Sequence, residues 1–461
     1  MEVGKPGKLF FLGIGGIGMS ALALYFKKMG WVTGGYDKTP SDITGALEKE
    51  GIKVVYEDSI TALPDEFSNP ADKELLVTFT PAIPVDHPQL VFYKKSGVEI
   101  LKRSQLLGLI SKSAKTFAVA GTHGKTTTST MLAHFLRTAG NDCQAFLGGI
   151  SQNYGSNVLF GKSGDWVIEA DEYDRSFLTL EPAHIILTSM DPDHLDIYQS
   201  GKGVRESYNE FLGKRKTNGF TLVASQINPD LYGGKKDGYF TYGFEPKADF
   251  KAENIRVEDG KFVFDIKGPD VLWTNVSLAL PGRHNVQNAL GAAALAHLTG
   301  HSKTGILNGI STFKGVARRF EFHVRKKNRV YIDDYAHHPE EIRAALGGIK
   351  ELYPGKEITL VFQPHLFTRT RDFLSEFARE LGKADKLILL DIYPAREKPI
   401  PGVTSGELLK NISCPYKTLV SKSELSAHIQ DLRPEILVSM GAGDIDRLVP
   451  QLKETMLSLD A

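Results

Sequence analysis

Hydrophobic and polar positions follow one another in a pattern that predicts alternating strands and helices along most of this chain. Short apolar runs bounded by glycine, proline or charged residues predict buried strands, and the longer amphipathic stretches between them predict helices. In the first region the predicted strands are Lys8–Leu12, Val32–Tyr36, Lys53–Tyr56, Leu75–Phe79 and Glu99–Ile100. Strands that alternate with helices favour the α/β class with parallel sheets.

Two later regions continue the alternation, with one interruption. Within the second region the pattern changes to short runs joined by tight turns, which predict antiparallel strands. The predicted strands of the second region are Thr116–Ala120, Asp165–Glu169 and His184–Thr188, followed by the antiparallel Phe250–Val257, Lys261–Ile266 and Leu272–Leu280. Those of the third are Val330–Asp333, Ile358–Phe362, Lys386–Leu390 and Ile436–Met440. We therefore predict three domains, at residues 1–107, 108–315 and 316–461.

The composition argues against several classes of partner. The 461 residues carry 55 basic and 55 acidic side chains, and the sequence pI is near 7.2. No basic stripe or tail favours nucleic acid, and no apolar run is long enough for a membrane span. Cys143 and Cys414 lie far apart without metal-ligand spacing, which is typical of thiols in a reducing compartment. Met1–Pro6 lacks the pattern of a signal peptide, so we expect a cytoplasmic protein.

The most informative segment is an apolar run that ends at Ala120, a turn with two glycines, and an amphipathic helix that begins at Lys125. This plan is typical of a loop that binds a polyphosphate, because backbone N–H groups and the helix N-terminus both favour anions. It predicts ATP binding by consecutive residues: Gly121, Thr122, His123, Gly124, Lys125, Thr126 and Thr127. The usual spacing has glycine where this chain has Val119, so an ordinary strand-turn-helix is the alternative interpretation.

A second glycine cluster lies near the start of the chain. Gly13, Gly15 and Gly18 have the G-x-G-x-x-G spacing, and Asp37 follows the next predicted strand. This pattern is the fingerprint of nicotinamide dinucleotides and, taken alone, favours a dehydrogenase. Its physical content is a helix N-terminus that accepts a diphosphate, which a UDP-sugar also carries. Glycines that serve tight packing alone are a third interpretation.

These segments belong to one ordered set of motifs. The set comprises Gly13–Ser20, Gly121–Thr128, Glu169–Asp174, Asp193–Asp196, Arg283–Asn285 with Asn288, Arg318–Phe320, Asp333–Pro339 and Gln363–His365. In order and spacing it resembles the Mur ligase family, most closely the members that add L-alanine, and it covers all three regions. The resemblance implies an α/β fold with a Rossmann-like N-terminal domain, a central P-loop ATPase-type domain with an added antiparallel strand section, and a C-terminal α/β domain.

The same resemblance implies an ATP-dependent ligase of peptidoglycan synthesis. It would join L-alanine to the carboxylate of UDP-N-acetylmuramate through an acyl phosphate, with ATP and two Mg²⁺ ions as cofactors. The expected partners are these small-molecule substrates, with no nucleic acid and no membrane, and the chain would be a monomer or a homodimer. The C-terminal domain would bind the amino acid and close over ATP to exclude water.

The resemblance also assigns residues to the sugar nucleotide and the metals. The UDP-sugar would bind at Gly15, Gly16, Ile17, Gly18, Met19, Ser20 and Asp37. Metal ligands would be Thr126 and Glu169 for one Mg²⁺ ion, because hard oxygen ligands suit it, and His194 near a second ion. A solvated loop acid is the alternative interpretation of Glu169, and a histidine paired with nearby carboxylates is that of His194. Asp171, Glu172 and Asp174 are weaker candidates as ligands.

The remaining assignments concern catalysis and the amino acid. The implied catalytic residues are Lys125, His194, Arg319, Tyr335 and His337. ATP would also contact Asn288, Arg319 and Asp334, and the amino acid would contact Tyr335, His365 and Arg369. A helix-face amide is the alternative for Asn288, and a helix-start hydrogen bond is that for His337. Leu366 departs from the family pattern, which commonly has arginine there, so one contact to the amino-acid carboxylate is in doubt; Arg371 is a candidate substitute.

Three other functions stay open at this point. A ligase that recycles a murein tripeptide would use ATP and a related muramate carboxylate. An NAD-dependent dehydrogenase would explain Gly13–Gly18 and Asp37 but would leave Lys125 and Glu169 without a role. A nucleotide-switch protein would bind ATP without amino-acid-dependent phosphate release.

Overall fold

The computed structural model describes residues 6–191, 198, 200–234, 236–395 and 397–459. The predicted α/β class is confirmed, with three sheets. The strands are β1 Lys8–Leu12, β2 Val32–Tyr36, β3 Lys53–Val55, β4 Leu75–Phe79, β5 Glu99–Lys102, β6 Lys115–Ala120, β7 Gln144–Ser151, β8 Ser156–Leu159, β9 Asp165–Glu169, β10 His184–Leu187, β11 Thr221–Ala224, β12 Tyr239–Gly243, β13 Phe250–Glu258, β14 Lys261–Gly268, β15 Val271–Leu278, β16 Glu321–Lys326, β17 Arg329–Asp334, β18 Ile358–Phe362, β19 Lys386–Leu389, β20 Tyr416–Leu419 and β21 Ile436–Met440.

Helices connect most of these strands. They are α1 Ile17–Lys28, α2 Asp42–Lys49, α3 Asp65–Ser68, α4 Pro88–Ser96, α5 Arg103–Ser111, α6 Lys125–Thr138, α7 Gly201–Gly213, α8 Arg283–Leu298, α9 Lys303–Thr312, α10 Pro339–Leu352, α11 Phe367–Asp372, α12 Leu374–Leu381, α13 Ser405–Asn411, α14 Leu425–Leu432 and α15 Val449–Ser458. Within the described ranges, every helix is too short or too polar to span a bilayer. Contacts divide the chain into two units: residues up to 253 with 265–274 and 287–312, and residues 254–264, 275–286 and 313 onward.

The first sheet is parallel throughout and has the order β3-β2-β1-β4-β5. Strand β1 is almost entirely apolar because helices cover both faces of a parallel sheet. Phe10, Phe67 and Tyr93 pack together on one side of it. The order reverses direction at β1, and the crevice at the carboxyl ends of β1 and β4 is where such sheets bind ligands.

The second sheet has ten strands in the order β15-β14-β13-β12-β11-β10-β6-β9-β7-β8. In this order each neighbouring pair from β12 through β11, β10, β6 and β9 to β7 is parallel, and β8 runs antiparallel to β7. Two residues, Asp259 and Gly260, join the neighbouring strands β13 and β14, and a connection that short permits only an antiparallel pair. Both have positive φ, 49° and 72°. The predicted antiparallel section is therefore confirmed.

The third sheet has the order β16-β17-β21-β18-β19-β20 and is parallel except for the β16–β17 pair. The predicted strands are all present, with ends that differ by a few residues. Six strands had no prediction: β7, β8, β11, β12, β16 and β20. Most contain glycine or alternate polar and apolar residues, as in the edge strand β20, so the pairing with neighbours rather than an apolar run defines them.

Candidate active site

The phosphate-loop segment has the conformation that its sequence predicts. Strand β6 ends at Ala120, and α6 begins at Lys125. Gly121 and Gly124 have φ values of 135° and 80°, which favour glycine. A Cβ atom on Gly121 would lie 2.1 Å from Thr188 Oγ1, so the loop approaches β10 too closely for a side chain. The N-terminus of α6, whose backbone N–H groups favour an anion, follows this loop directly.

Lys125 folds back over this loop. Its Nζ donates to the carbonyl oxygens of Gly121 at 2.6 Å and Thr122 at 3.2 Å, and to Glu172 Oε1 at 2.9 Å. Burial alone would lower the pKa of Lys125, but the carboxylates of Glu172, Asp171 and Glu169 outweigh it and raise that pKa. Lys125 is therefore a fixed positive charge at the loop.

Glu172 was a weaker candidate for a metal ligand, and the structure gives it Lys125 as a partner instead. Its side chain is only 4% exposed. Burial raises the pKa of Glu172, and the Lys125 ammonium opposes this shift without cancelling it. The Glu172 carboxylate therefore lies against the Lys125 ammonium, where a phosphate group would lie in a phosphate loop.

Two of the predicted metal ligands lie together. The Thr126 hydroxyl donates to Glu169 Oε1 at 3.1 Å, and the Gly148 N–H donates to Glu169 Oε2 at 2.9 Å. A hydroxyl and a carboxylate at a phosphate loop are hard oxygen ligands that fit Mg²⁺, which keeps several waters and phosphate oxygens in its shell. His194 lies outside the described residues. Within those residues, no group of three or more His, Cys, Asp or Glu side chains could hold a metal.

The other predicted nucleotide residues of this unit lie around the same loop. Thr122 Oγ1 donates to the Asp191 carbonyl at 2.8 Å, and the His123 N–H donates to Ser189 Oγ at 2.8 Å. Thr127 is buried in α6. The Asn288 amide is adjacent, since a Cβ atom on Gly124 would lie 2.8 Å from Asn288 Oδ1. Asn288 is therefore within reach of a nucleotide at the loop.

The N-terminal glycine cluster forms a helix start. Gly16 is the N-cap of α1, and the Gly15 N–H donates to Asp37 Oδ2 at 2.8 Å. Asp37 thus closes the glycine turn. Ser20 is buried, and its hydroxyl donates to the Ile17 carbonyl. Asn157 Nδ2 also donates to that carbonyl, at 2.6 Å, so Ser20 and Ile17 contact β8.

A cavity of about 260 Å³ adjoins this helix start. Of the predicted sugar-nucleotide residues, Gly16, Ile17, Gly18 and Met19 line it. Glu169, the predicted metal ligand, lines the same cavity. The structure therefore brings the glycine cluster of the first sheet and the metal-ligand position of the second sheet to one cavity.

Arg103 also lines this cavity, and the sequence analysis missed it. Its Nη2 lies 3.3 Å from Asp171 Oδ2, and a Cβ atom on Gly18 would lie 2.7 Å from its Nη1. A guanidinium beside a glycine-rich helix start suits a diphosphate or a carboxylate. The available signal was the basic pair Lys102-Arg103 at the end of β5, where the carboxyl ends of parallel strands meet.

The second unit holds Arg319 in a strained turn. Arg318 and Phe320, on either side of it, have φ values of 60° and 51°. Asp334 holds this turn, because its carboxylate oxygens accept the Phe320 N–H at 2.8 Å and the Ala336 N–H at 2.7 Å. Burial raises the pKa of Asp334 to about 6. The Asp334 carboxylate, predicted to contact ATP, therefore has two backbone partners already.

Tyr335 and His337 follow β17. The Arg319 guanidinium lies 5.0 Å from the centre of the Tyr335 ring. His337 Nδ1 lies 3.0 Å from the Tyr335 carbonyl and 3.3 Å from Glu341 Oε2. Two oxygen neighbours require a proton on Nδ1, which leaves Nε2 as a hydrogen-bond acceptor. Burial lowers the pKa of His337 to about 4; Glu341 opposes the shift and Arg369 adds to it.

The predicted amino-acid residues converge on His337. The His365 ring lies 5.9 Å from the His337 ring, and the charge of Arg369 on α11 acts on the same imidazole. Leu366, between them, has a φ of 71°. Arg371 pairs with Asp372 at 2.7 Å on the surface. This part of the second unit combines a guanidinium with an imidazole acceptor, which suits a small molecule that carries a carboxylate and an amine.

Comparisons with known proteins agree with the motifs. Three family models match successive parts of the chain: "Mur ligase family, catalytic domain" at residues 8–115, "Mur ligase middle domain" at residues 119–296, and "Mur ligase, glutamate ligase domain" at residues 318–443. Together they account for most of the 461 residues. The order of the three matches is the order in which the motifs occur along this sequence.

Individual relatives are similar over nearly the whole length. A UDP-N-acetylmuramate–L-alanine ligase from Parabacteroides distasonis is 47% identical over 99% of this chain and 98% of its own. One from Cytophaga hutchinsonii is 46% identical over 96% of each chain. A solved structure of UDP-N-acetylmuramate-alanine ligase MurC from Thermotoga maritima superposes with a TM-score of 0.83 at 28% identity, covering 98% of this chain and 99% of that one.

Proposed function

This chain belongs to the Mur ligase family, and from that premise we propose that it is an ATP-dependent ligase that joins L-alanine to the carboxylate of UDP-N-acetylmuramate. The relatives that support this substrate pair are 43% to 47% identical and carry that ligase name. The product would be an amide, and the reaction would serve peptidoglycan synthesis. A cytoplasmic location and a monomeric or homodimeric state stay predictions.

The observation that carries the proposal is the position of Glu169. Its carboxylate accepts a hydrogen bond from Thr126 of the phosphate loop and also lines the cavity beside the N-terminal glycine cluster. A nucleotide at Lys125 and a sugar nucleotide at Gly16–Gly18 would therefore meet at this residue. Neither a dehydrogenase nor a nucleotide switch requires a phosphate loop that opens onto a second diphosphate site.

The first chemical step would make the sugar carboxylate reactive. A carboxylate oxygen attacks the γ-phosphorus of ATP, the bond to the β-phosphate bridging oxygen breaks, and ADP leaves. Lys125 and the amide groups at the start of α6 would stabilise the charge on the transferring group. Lys125 suits this task because its carboxylate neighbours keep it protonated.

Thr126 and Glu169 are the residues that would hold Mg²⁺ at this loop, with His194 as a further candidate for a second ion. When bound, the metal would supply positive charge to the phosphate and carboxylate oxygens. The Thr126–Glu169 contact of 3.1 Å supports the first site. The number of ions stays a prediction.

The second step would form the amide. The neutral L-alanine amine attacks the acyl carbon, the bond from that carbon to the phosphate oxygen breaks, and inorganic phosphate leaves with the proton that the amine loses. Arg369 would bind the alanine carboxylate, and His337 Nε2 would accept a hydrogen bond from the amine, since Nδ1 has its proton directed at the Tyr335 carbonyl. Arg319 would stabilise phosphate charge. Closure of the C-terminal domain over the nucleotide stays a prediction.

Phosphate release tests the proposal. We would measure it with ATP, Mg²⁺ and UDP-N-acetylmuramate while changing the amine: L-alanine, glycine, L-serine and a murein tripeptide. Release that requires the sugar nucleotide and L-alanine together is expected. It should vanish in Lys125→Ala and persist in Lys162→Ala, which removes an exposed lysine of the same unit.

The other outcomes separate the alternatives. If the tripeptide is preferred, the amine substrate is a peptide rather than L-alanine, and the acyl-phosphate mechanism is unchanged. ATP binding without release for any amine would leave the nucleotide-switch interpretation. A change in NADH fluorescence on addition of the protein, without phosphate release, would favour the dehydrogenase interpretation of the N-terminal glycine cluster.

A further inference from the structure

Tyr393 and Glu397 lie directly beside the residues predicted to bind the amino acid. The Tyr393 N–H donates to the Pro364 carbonyl at 2.8 Å, and the Leu366 N–H donates to the Tyr393 carbonyl at 2.9 Å. His365 and Tyr393 form an isolated parallel bridge, and their rings stack with centres 5.8 Å apart. Tyr393 therefore pairs with Pro364–Leu366 as a neighbouring strand residue would.

Helix α11, which carries Arg369, begins without a cap of its own. Its N-cap residue is Leu366, which has no side-chain oxygen and makes no capping hydrogen bond. The first N–H groups of a helix have no partner within the helix, so another group must accept them. Glu397 does so: one carboxylate oxygen accepts the Thr368 N–H at 3.0 Å, and the other accepts the Thr368 hydroxyl.

The backbone at Leu366 is strained, and Tyr393 contributes to holding it. Leu366 has a φ of 71°, and Ala395 has a φ of 49°. Side-chain-bearing residues occupy this region only where surrounding contacts fix them, and such residues concentrate at binding sites. Leu366 is fixed from one side by Tyr393 and from the other by Thr370, whose hydroxyl donates to the Leu366 carbonyl at 2.8 Å.

We propose that Glu397 is a positioning residue for the amino-acid pocket. By accepting both donors of Thr368 it fixes the start of α11, and this fixes Arg369, the next residue of the helix, relative to His365. Glu397 itself contacts none of the three substrates in this scheme. The ligand whose binding depends on it is the small molecule with a carboxylate that Arg369 receives, and in this respect the inference rests on the proposed function.

The structure favours this role over that of a solvated surface acid. A solvated glutamate would have no reason to direct both oxygens at one residue, whereas Glu397 binds the amide and the hydroxyl of Thr368. Glu407 offers a matched control. It is also a glutamate of this unit, and it forms an exposed ion pair with Lys410 at 2.6 Å.

The test compares Glu397→Ala with Glu407→Ala in the full-length protein. Steady-state kinetics would give KM separately for L-alanine, ATP and UDP-N-acetylmuramate. For Glu397→Ala we expect the KM for L-alanine to rise about tenfold, which corresponds to the loss of about one charge-assisted hydrogen bond. The other two KM values should stay within about twofold of the parent. Thr368→Val should give part of the effect, and the double variant should show less than the sum of the two.

A second measurement keeps the inference testable if the reaction differs from the proposal. Hydrogen exchange of the Thr368 amide should accelerate in Glu397→Ala and stay unchanged in Glu407→Ala, whether or not the protein is active. Unchanged exchange would overturn the inference. An equal rise of all three KM values would also overturn it, because that pattern indicates a general folding defect. Absence of phosphate release in the parent would refute the proposed function alone.

Discussion

Lys125 Nζ lies 2.7 Å from Glu172 Oε2, and both side chains are largely buried. Glu172 thus neutralises the lysine that the phosphate loop directs at its ligand. Removing two opposite charges from water costs several kcal/mol per ion, so neither partner is stable there alone. A bound nucleotide would bring its own negative charge to Lys125, and we infer that phosphate and Glu172 compete for the same ammonium group.

This competition gives the first prediction. Glu172→Gln leaves the Lys125 charge buried with a weaker partner, so the free energy of unfolding without nucleotide should fall by about 3–5 kcal/mol. Mg²⁺–ATP should restore part of it, and the nucleotide-induced rise in Tm should exceed that of the parent. Thermal unfolding with and without nucleotide measures both effects. Glu181→Gln, which changes an exposed glutamate of the same unit, is the control. Equal Tm shifts in parent and variant would contradict competition.

A second ion pair ties the loop after β9 to the first sheet. Lys102 Nζ lies 2.7 Å from Asp174 Oδ2, and Asp174 and Arg175 both have positive φ, 52° and 54°. Tyr173, the residue before them, lines the cavity beside the glycine cluster. The pair therefore holds a strained loop against the cavity beside the glycine cluster.

Lys102→Met should loosen this loop. The pair is partly exposed, so its loss should change the free energy of unfolding by no more than about 1 kcal/mol. The KM for UDP-N-acetylmuramate should nevertheless rise about threefold to tenfold, while the KM for ATP stays within about twofold. Lys112→Met, which removes an exposed lysine further along the chain, controls for the loss of surface charge. If the KM for the sugar nucleotide stays constant, Lys102 has no part in shaping the cavity.

The phosphate loop shows which structural features can be predicted from the sequence. Strand, turn and helix at Ala120–Lys125 are local features, because glycine conformation and apolar periodicity are properties of neighbouring residues. For the same reason most of the parallel strands and the antiparallel section β13–β15 were predictable. The position of Val119, which departs from the usual spacing, did not alter the loop.

The partners of the loop were not predictable from the sequence alone. Glu172 lies 47 positions from Lys125, and no local pattern distinguishes it from Asp171 or Asp174. Arg103 reaches its cavity through the packing of α5, and the edge strands depend on their neighbours. Contacts between distant segments depend on tertiary packing, which periodicity does not encode.

Leu366 offers a test of the expectation that arginine is common in the family at this position. Leu366→Arg should supply a second cation for the amino-acid carboxylate and lower the KM for L-alanine about threefold to tenfold. The backbone should tolerate the change, since leucine and arginine bear the same cost at positive φ. Leu366→Met, which keeps the volume, is the control. A KM for L-alanine that is unchanged or higher would contradict the expected contribution of a second cation.

The last prediction concerns acid stability and His337. The pKa of this imidazole is lowered from 6.5 to about 4, chiefly by burial. As the pH falls from 6.5 to 4, the unfolded chain takes up a proton at this position and the folded chain does not. Stability contributed by the neutral imidazole is therefore complete above pH 6.5 and is lost as the pH falls towards 4, by up to about 3 kcal/mol.

His337→Gln removes this linkage. Between pH 6.5 and 4, the free energy of unfolding of the variant should fall less steeply than that of the parent, by about 1.4 kcal/mol per pH unit. Urea unfolding at pH 7, 6 and 5 measures the two slopes. Three other histidines have pKa values lowered to about 4, and they cancel because both proteins keep them: His134, His184 and His284. Parallel slopes would mean that His337 titrates alike in the folded and unfolded chains, and its role as a neutral acceptor for the amine would then be wrong.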